Sequence, residues 1–335
     1  MADISQPSER QDAPKRIEIG DPADYVVLLL DFLGHEHLLE RWKVLKDHVS
    51  LGEQNRRQGA DDTVLGDAIK NSAGVVALHL INITEYLLRK GLYGQTGAPP
   101  DYQLKCIQFS DTLVFYARVE PRVSVGDQGL FLINAAIMAA ANVMLISLAE
   151  GQTPVRGALA IGPAVELVRD ASKDTRDDWS PFLYGPVLQR VHELEDKFSD
   201  YPRILADRSV TNYLEGAKRV FRSPSQLDQN YRKILDNMLQ LLAGGVDPDE
   251  REALGGFRVL DWAGSHFHEM VTCKERAGTA NLLRKAMEFA RSERSRAMEE
   301  HARTGSQSTL KVAGKYARLV NYLESRWVHW QSEFC

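Results

Sequence analysis

The segment at residues 25–36, YVVLLLDFLGHE, constrains the fold more than any other part of the chain. Five consecutive apolar residues, 26–30, lead directly into Asp31, and Gly34 follows the acid. A short apolar run of this kind, rich in branched side chains, is typical of a buried β-strand. The sequence therefore predicts a buried strand that ends in a carboxylate.

A second segment, IQFSDTLVFY at residues 107–116, repeats this arrangement. Two β-rich runs surround Ser110 and Asp111, a pattern that predicts a hairpin with the acid at its bend. If the two strands are neighbours in one sheet, Asp31 and Asp111 meet at one edge of it. Carboxylate oxygens are suitable ligands for a pair of divalent cations, so this edge is a candidate metal site.

Composition excludes several classes of protein. With 335 residues, 44% hydrophobic and 26% charged, the chain has material for two domains or for one domain with a helical extension. The net charge of −5 gives no bulk attraction to nucleic acid or anionic lipid. The three cysteines lack zinc-binding spacing, and residues 1–22 indicate a disordered leader, so a cytoplasmic location is expected.

Residues 129–149 carry no charge over about the length that a bilayer requires. The segment nevertheless contains Asn134, Asn142 and Ser147, is rich in alanine, and has no basic cluster beside it. These features predict a core helix packed against the sheet, and no membrane span.

The order of the remaining elements indicates an α/β (α+β) fold. Up to residue 207 the order reads β-α-α-β-β-α-β-(β)-α-β, which predicts a ferredoxin-like antiparallel sheet with helices on one face. Within it, residues 155–168 read as a β run broken by two glycines, and residues 202–206 as a short edge strand. The predicted domains are 23–207, and a mainly helical extension at 208–335 with one possible strand at 257–262.

Four of these motifs resemble the class III nucleotide cyclases over residues 24–207. VVLLLDFLG is similar to their first strand with a metal-binding Asp, and IQFSDTLVF to their central hairpin with the second. PVRGALAIG resembles the following strand, and YGPVLQRVHELE the next helix. The spellings FSD, YPRILAD and KVAGKYARLVNYLESRW are closer to the bacterial antiphage Pycsar cyclases, which make cyclic pyrimidine nucleotides.

The resemblance implies a two-metal site. Asp31 and Asp111 would coordinate two Mg²⁺ or Mn²⁺ ions, with the backbone carbonyl of Phe32 as a further ligand. The ribose 3′-hydroxyl would then attack the α-phosphorus in line, and pyrophosphate would leave. The triphosphate would meet backbone amides at a helix N-terminus. Those amides belong to Leu33, Gly34 and His35.

The sequence departs from the family pattern on the helix that follows Gly185. Adenylate and guanylate cyclases carry an Asn and, four residues later, an Arg that steady the transition state. This chain has Gln189 and Glu193 at those positions. A glutamate cannot replace a cation, so Arg156 or Arg190 is predicted to supply the missing positive charge.

The two positions that read a purine in the family are also changed. They hold Ile107 and Phe182, so the purine pocket is predicted to be absent. The Pycsar resemblance implies a pyrimidine substrate instead, UTP before CTP. A degenerate cyclase that binds nucleotide without turnover stays open, as does a purine cyclase if these positions are misaligned. A diguanylate-cyclase-like enzyme is disfavoured, because the Gly-Gly-Asp/Glu-Glu-Phe hairpin of that group is missing.

The resemblance also implies partners. Cyclases of this class work as head-to-tail homodimers with active sites at the interface, and the cyclic product would act on a separate effector protein. No nucleic acid partner is expected.

Overall fold

The computed structural model describes residues 17–33, 105–109, 112–119, 128–169, 182–199, 201–221, 225–242, 257–271 and 273–334. The strands are β1 (Ile17–Ile19), β2 (Ala23–Phe32), β3 (Lys105–Phe109), β4 (Thr112–Val119), β5 (Val155–Arg169), β6 (Phe182–Tyr184), β7 (Ile204–Ala206) and β8 (Arg258–Val259). The helices are α1 (Gln128–Ala149), α2 (Pro186–Phe198), α3 (Arg208–Val220), α4 (Gln226–Leu241), α5 (Ser265–Met270), α6 (Cys273–Thr304) and α7 (Gln307–Trp327), followed by a 3₁₀ turn, Gln331–Phe334.

The strands form one sheet in the order β3-β4-β2-β5-β7-β8, with β1 and β6 attached to β5. The central strand β2 pairs antiparallel with β4 on one side and with β5 on the other. Only β5 and β7 run parallel among the described pairs. The predicted α/β class and the largely antiparallel sheet are confirmed, and residues 26–30 are buried as expected.

Helices cover both faces of this sheet. Val26, Leu28 and Leu30 share a core with α1, whereas Val27 and Leu29 on the opposite face pack with α2. The expectation of helices on one face is therefore wrong in this respect. The reason lies in β2, whose unbroken apolar run presents hydrophobic side chains on both sides, and each side has to be buried.

The glycines in β5 do not interrupt the strand, although the sequence predicted a break at them. Any larger residue at position 157 would clash with β2, because a Cβ on Gly157 would lie 2.2 Å from the carbonyl oxygen of Leu29. The absence of a side chain lets β5 approach β2 closely. Gly185, with φ of 156°, makes the turn into α2 in a conformation that favours glycine.

Helix α1 is the one described helix that is long and apolar enough to cross a membrane. Of its most hydrophobic window, 72% is buried inside the protein. It packs against β2, β4 and β5 on one side and against α6 on the other. The prediction of a core helix packed on the sheet is confirmed.

The C-terminal helices join the same core. Strand β8 pairs with β7, so the predicted strand near residue 258 is present, and the predicted edge strand β7 is an interior one. One hydrophobic cluster contains Leu28 of the sheet together with Leu235, Leu283 and Leu319 of α4, α6 and α7. The predicted domain boundary at residue 207 stays a prediction. The hydrophobic core continues across this position.

A polar network, here called the anchor network, fastens the C-terminal helices to the segment after β8. Asp261 Oδ1 accepts hydrogen bonds from Tyr322 Oη and Arg326 Nε, both at 2.9 Å. The Ala263 amide donates to Tyr322 Oη at 3.0 Å, and Trp330 Nε1 donates to the Ala263 carbonyl at 2.8 Å. Burial, together with the charge of Asp261, raises the pKa of Tyr322 well above its ordinary value.

Candidate active site at the end of the central strand

Three side chains meet where β2 ends. Asp31 lies opposite Thr112 on β4 and opposite Arg156 on β5. Residues directly opposite each other on neighbouring strands project from the same face of a sheet. Arg156 Nε accordingly donates to Asp31 Oδ2 at 2.9 Å, and the Thr112 hydroxyl lies 3.5 Å from Asp31 Oδ1.

A fourth side chain reaches this point from α2. The helix buries Val187, Val191, Leu194 and Glu195 against the sheet. Glu195 Oε1 lies 2.5 Å from Arg156 Nε, and the Glu195 side chain is only 5% exposed. We call Asp31, Thr112, Arg156 and Glu195 the acid–arginine cluster.

The acid–arginine cluster holds more carboxylates than cations. One guanidinium faces Asp31 and Glu195, and Glu195 Oε1 is buried without a well-aligned hydrogen bond. Burial raises the pKa of Glu195; the charge of Arg156 opposes that rise, and the charge of Asp31 adds to it. Asp31 and Glu195 thus share one guanidinium, and a further cation beside Asp31 would reduce the repulsion between their carboxylates.

The predicted hairpin is present, but its acid cannot be described. Strand β3 ends at Phe109, β4 begins at Thr112, and these two residues pair. The connecting residues Ser110 and Asp111 lie outside the described residues. The metal-binding role of Asp111 stays a prediction, as do the roles of Gly34 and His35, which are also outside.

The two residues after Asp31 continue the strand. The Phe32 side chain is buried in the core, so only its backbone could serve a ligand. The Leu33 amide donates to the Pro154 carbonyl at 2.8 Å. This hydrogen bond uses the amide in the structure described here, and its predicted role at a triphosphate stays a prediction.

The two predicted base-reading positions differ in their surroundings. Ile107 is buried with Val27 and Leu29 in the core beneath α2, so it is a core residue here. Phe182 is half-buried on β6, opposite Leu167 at the outer part of β5.

Arg190 has a structural role. Its Nε and Nη2 both donate to Asp207 Oδ1 at 3.0 Å, and its guanidinium lies over the Phe257 ring. Asp207 also caps α3 by accepting from the Ser209 amide. In this structure the described hydrogen bonds of Arg190 tie α2 to the start of α3 and go to Asp207, not to Asp31. The catalytic role of Arg190 stays a prediction.

The charge of Asp207 is stabilised by these contacts. Burial alone would raise its pKa, but hydrogen bonds from Ser209 and Arg190, with the Arg190 charge, lower the pKa below its ordinary value. Each carboxylate oxygen of Asp207 has a described donor. This pair resembles the anchor network more than the acid–arginine cluster.

Glu195 is the residue that the sequence analysis missed. The buried positions 187, 191, 194 and 195 follow helical spacing and form one face of α2. On that face a carboxylate lies among apolar residues that pack on the sheet. An acid at a position with the spacing of buried residues indicates a polar or charged partner on the strands, and this could have been recognised from the sequence. On the exposed side of the same helix, Gln189 Nε2 donates to Glu193 Oε1 at 3.2 Å.

The donor chemistry of the cluster suits a hard divalent cation. Carboxylate oxygens are the ligands that Mg²⁺ and Mn²⁺ prefer, and the described hydrogen bond to Asp31 Oδ1, from the Thr112 hydroxyl, is long at 3.5 Å. Within the described residues, no group of three or more His, Cys, Asp or Glu side chains is placed to hold a metal. A complete site would need ligands from other residues, and the sequence places Asp111 next to Thr112.

No protein-family model matches this chain, and no curated protein matches it. Among solved structures, the adenylyl cyclase CyaB from P. aeruginosa is 13% identical, with 59% of this chain and 83% of that chain covered and a TM-score of 0.33. The guanylyl cyclase Cya2 is 13% identical over 59% and 80%, with a TM-score of 0.30. A bacterial light-regulated adenylyl cyclase is 12% identical over 64% and 58%, with a TM-score of 0.32. Similarity at this level does not establish a function. A functional proposal has to rest on the side chains described above.

Proposed function

We propose that this chain is a nucleotide cyclase that converts a pyrimidine nucleoside triphosphate, UTP before CTP, into the 3′,5′-cyclic monophosphate and pyrophosphate. One observation carries the proposal. The residue after Asp111, Thr112, lies directly opposite Asp31 at the end of the central strand. This register supports the pairing of the two acids that the motifs imply.

The proposed metal ligands are Asp31, Asp111 and the backbone carbonyl of Phe32. Two Mg²⁺ or Mn²⁺ ions, when bound, would lower the pKa of the ribose 3′-hydroxyl and neutralise the charge on the leaving pyrophosphate. In the cyclisation, the 3′-oxygen forms a bond to the α-phosphorus as the bond to the β-phosphate oxygen breaks. The hydroxyl proton is released to solvent.

Arg156 is the proposed cation of the site. It is the guanidinium beside Asp31, and both of its described contacts use Nε. The two Nη groups could donate to phosphate oxygens, for which the planar guanidinium is well suited. Arg156 would thus supply the positive charge that Glu193 cannot.

The pyrimidine preference rests on the sequence resemblance and on two apolar side chains, Ile107 and Phe182, at the positions that read purines in the family. We further propose a cytoplasmic homodimer with sites at its interface. Its cyclic product would signal to a separate effector in antiphage defence.

A second candidate is a nucleotide-binding regulator without turnover. It is favoured by the sequence resemblance, which aligns Glu193 with an arginine of the purine cyclases; Glu193 accepts a hydrogen bond from Gln189. Arg156 paired with Asp31 also fits a silent site. Only a turnover assay separates the two candidates.

The assay incubates the purified protein with Mn²⁺ and each of ATP, GTP, CTP and UTP, and identifies products by mass spectrometry. We expect cyclic UMP, with less cyclic CMP, and no product from Asp111→Ala. A cyclic purine product would overturn the pyrimidine preference. Nucleotide binding without any cyclic product would contradict the enzyme and favour the regulator.

A further inference from the structure

We propose that Glu195 is a positioning residue that takes over Arg156 when a divalent cation binds Asp31. This inference rests on the proposed function. Glu195 would not touch the substrate. It would hold the guanidinium beside the metal site, so that Asp31 is released to the cation while Arg156 stays within reach of the nucleotide.

The geometry of one nitrogen carries the argument. Arg156 Nε bears a single hydrogen, which is donated to Asp31 Oδ2 at 2.9 Å. Glu195 Oε1 lies 2.5 Å from the same nitrogen, yet that buried oxygen has no well-aligned hydrogen bond. A small rotation of the guanidinium would transfer the hydrogen bond from Asp31 to Glu195.

Charge gives the transfer its direction. A divalent cation on Asp31 would repel the guanidinium, which has to leave the shared carboxylate. Glu195 is 5% exposed, and its charge is costly to bury without a cation. Its other described charge partner, His192, is farther away, at 3.7 Å from Oε2, and carries a charge only when protonated. The two requirements are met together when Arg156 moves onto Glu195.

Removal of the Glu195 charge should therefore weaken metal binding, because Arg156 would remain on Asp31 and compete with the cation. The test titrates the full chain with Mn²⁺ and measures free Mn²⁺ by electron paramagnetic resonance, without nucleotide. We expect Glu195→Gln to raise the Kd for Mn²⁺ by about tenfold, the lower end of effects seen for residues that orient metal ligands. Glu195→Asp should give an intermediate Kd.

The same Glu195→Gln change, made in a variant that lacks Arg156, distinguishes the positioning role from a general effect of lost negative charge on the Kd. In Arg156→Gln, no guanidinium competes for Asp31, so adding Glu195→Gln should change the Kd by less than about twofold. Asp196→Asn is the matched control, since it removes an exposed acid from the next position of α2 and should leave the Kd unchanged. Thermal melts confirm that each variant is folded.

The outcomes are distinct. An unchanged Kd in Glu195→Gln, or the same increase in both backgrounds, would overturn the positioning role. Mn²⁺ binding that does not respond to Asp31→Asn would contradict the metal site of the proposed function itself, and the inference with it.

Discussion

Two aspartate–arginine pairs in this chain have nearly the same geometry. Asp31 and Arg156 approach to 2.9 Å with side chains 16% and 23% exposed. Asp261 and Arg326 approach to 2.9 Å with side chains 15% and 24% exposed. Distance and burial alone do not distinguish a candidate catalytic pair from a structural one.

The pairs differ in how their neighbours use the remaining hydrogen-bonding capacity. Asp261 accepts from Tyr322 and from Arg326, and the Tyr322 oxygen is itself occupied by a backbone amide. Arg156 instead donates its single Nε–H to Asp31, while Glu195 Oε1 lies 2.5 Å from the same nitrogen and is buried without a hydrogen bond.

From this difference we infer different roles for the Asp261–Arg326 pair and the Asp31–Arg156 pair. A network with every donor and acceptor satisfied stabilises the fold, because any change leaves a buried group unpaired. A cluster with an excess of carboxylate is electrostatically incomplete and gains from binding a cation. The anchor network is thus the structural counterpart of the acid–arginine cluster.

The largest expected effect on stability comes from the anchor network. Asp261→Asn keeps the shape of the side chain but removes its charge from Arg326 and Tyr322. We expect the free energy of unfolding to fall by about 2 kcal/mol, as for other hydrogen bonds to charged groups. Urea denaturation measures the loss, and turnover per folded molecule should stay unchanged.

A milder variant of the same network serves as a check. Tyr322→Phe removes one hydroxyl and should cost about 1 kcal/mol, with the Ala263 amide left unpaired. If both variants are as stable as the wild type, the anchor network is not structural and the comparison fails.

The smallest effect is expected at Asp207, whose pKa is lowered in the folded protein. A lowered folded pKa adds stability above the ordinary Asp pKa of about 3.9, and this contribution is lost as pH falls through the folded value. Asp207→Asn retains the helix cap but loses the charge pair with a partly exposed Arg190, which is worth less than about 1 kcal/mol.

Thermal melts of wild type and Asp207→Asn across pH 2–7 test this prediction. The advantage of the wild type should be constant at neutral pH and shrink below about pH 4. An advantage that grows on acidification would contradict the assignment.

Local sequence patterns predicted much of the fold. The unbroken apolar run before Asp31 identified the central strand, and alanine-rich composition identified α1 as a core helix. Both are decided by nearby residues. The interior position of β7 could not be predicted, because its partner β8 comes from a segment some fifty residues later.

The candidate site was predicted only in part, for a related reason. Asp31 was identifiable from the motif at a strand end, whereas the arginine beside it depends on the register between β2 and β5. Arg156 and Arg190 were both candidate cations from sequence. Only tertiary contacts show that one faces Asp31 and the other Asp207.

The most direct test of the central claim is the rate of cyclic nucleotide formation by Asp31→Asn at saturating Mn²⁺. We predict that the rate falls by more than about a hundredfold, since removing one group that stabilises the transition-state charge typically has this effect. A rate close to that of the wild type would show that Asp31, like Asp261, serves only the fold, and would contradict the proposed active site.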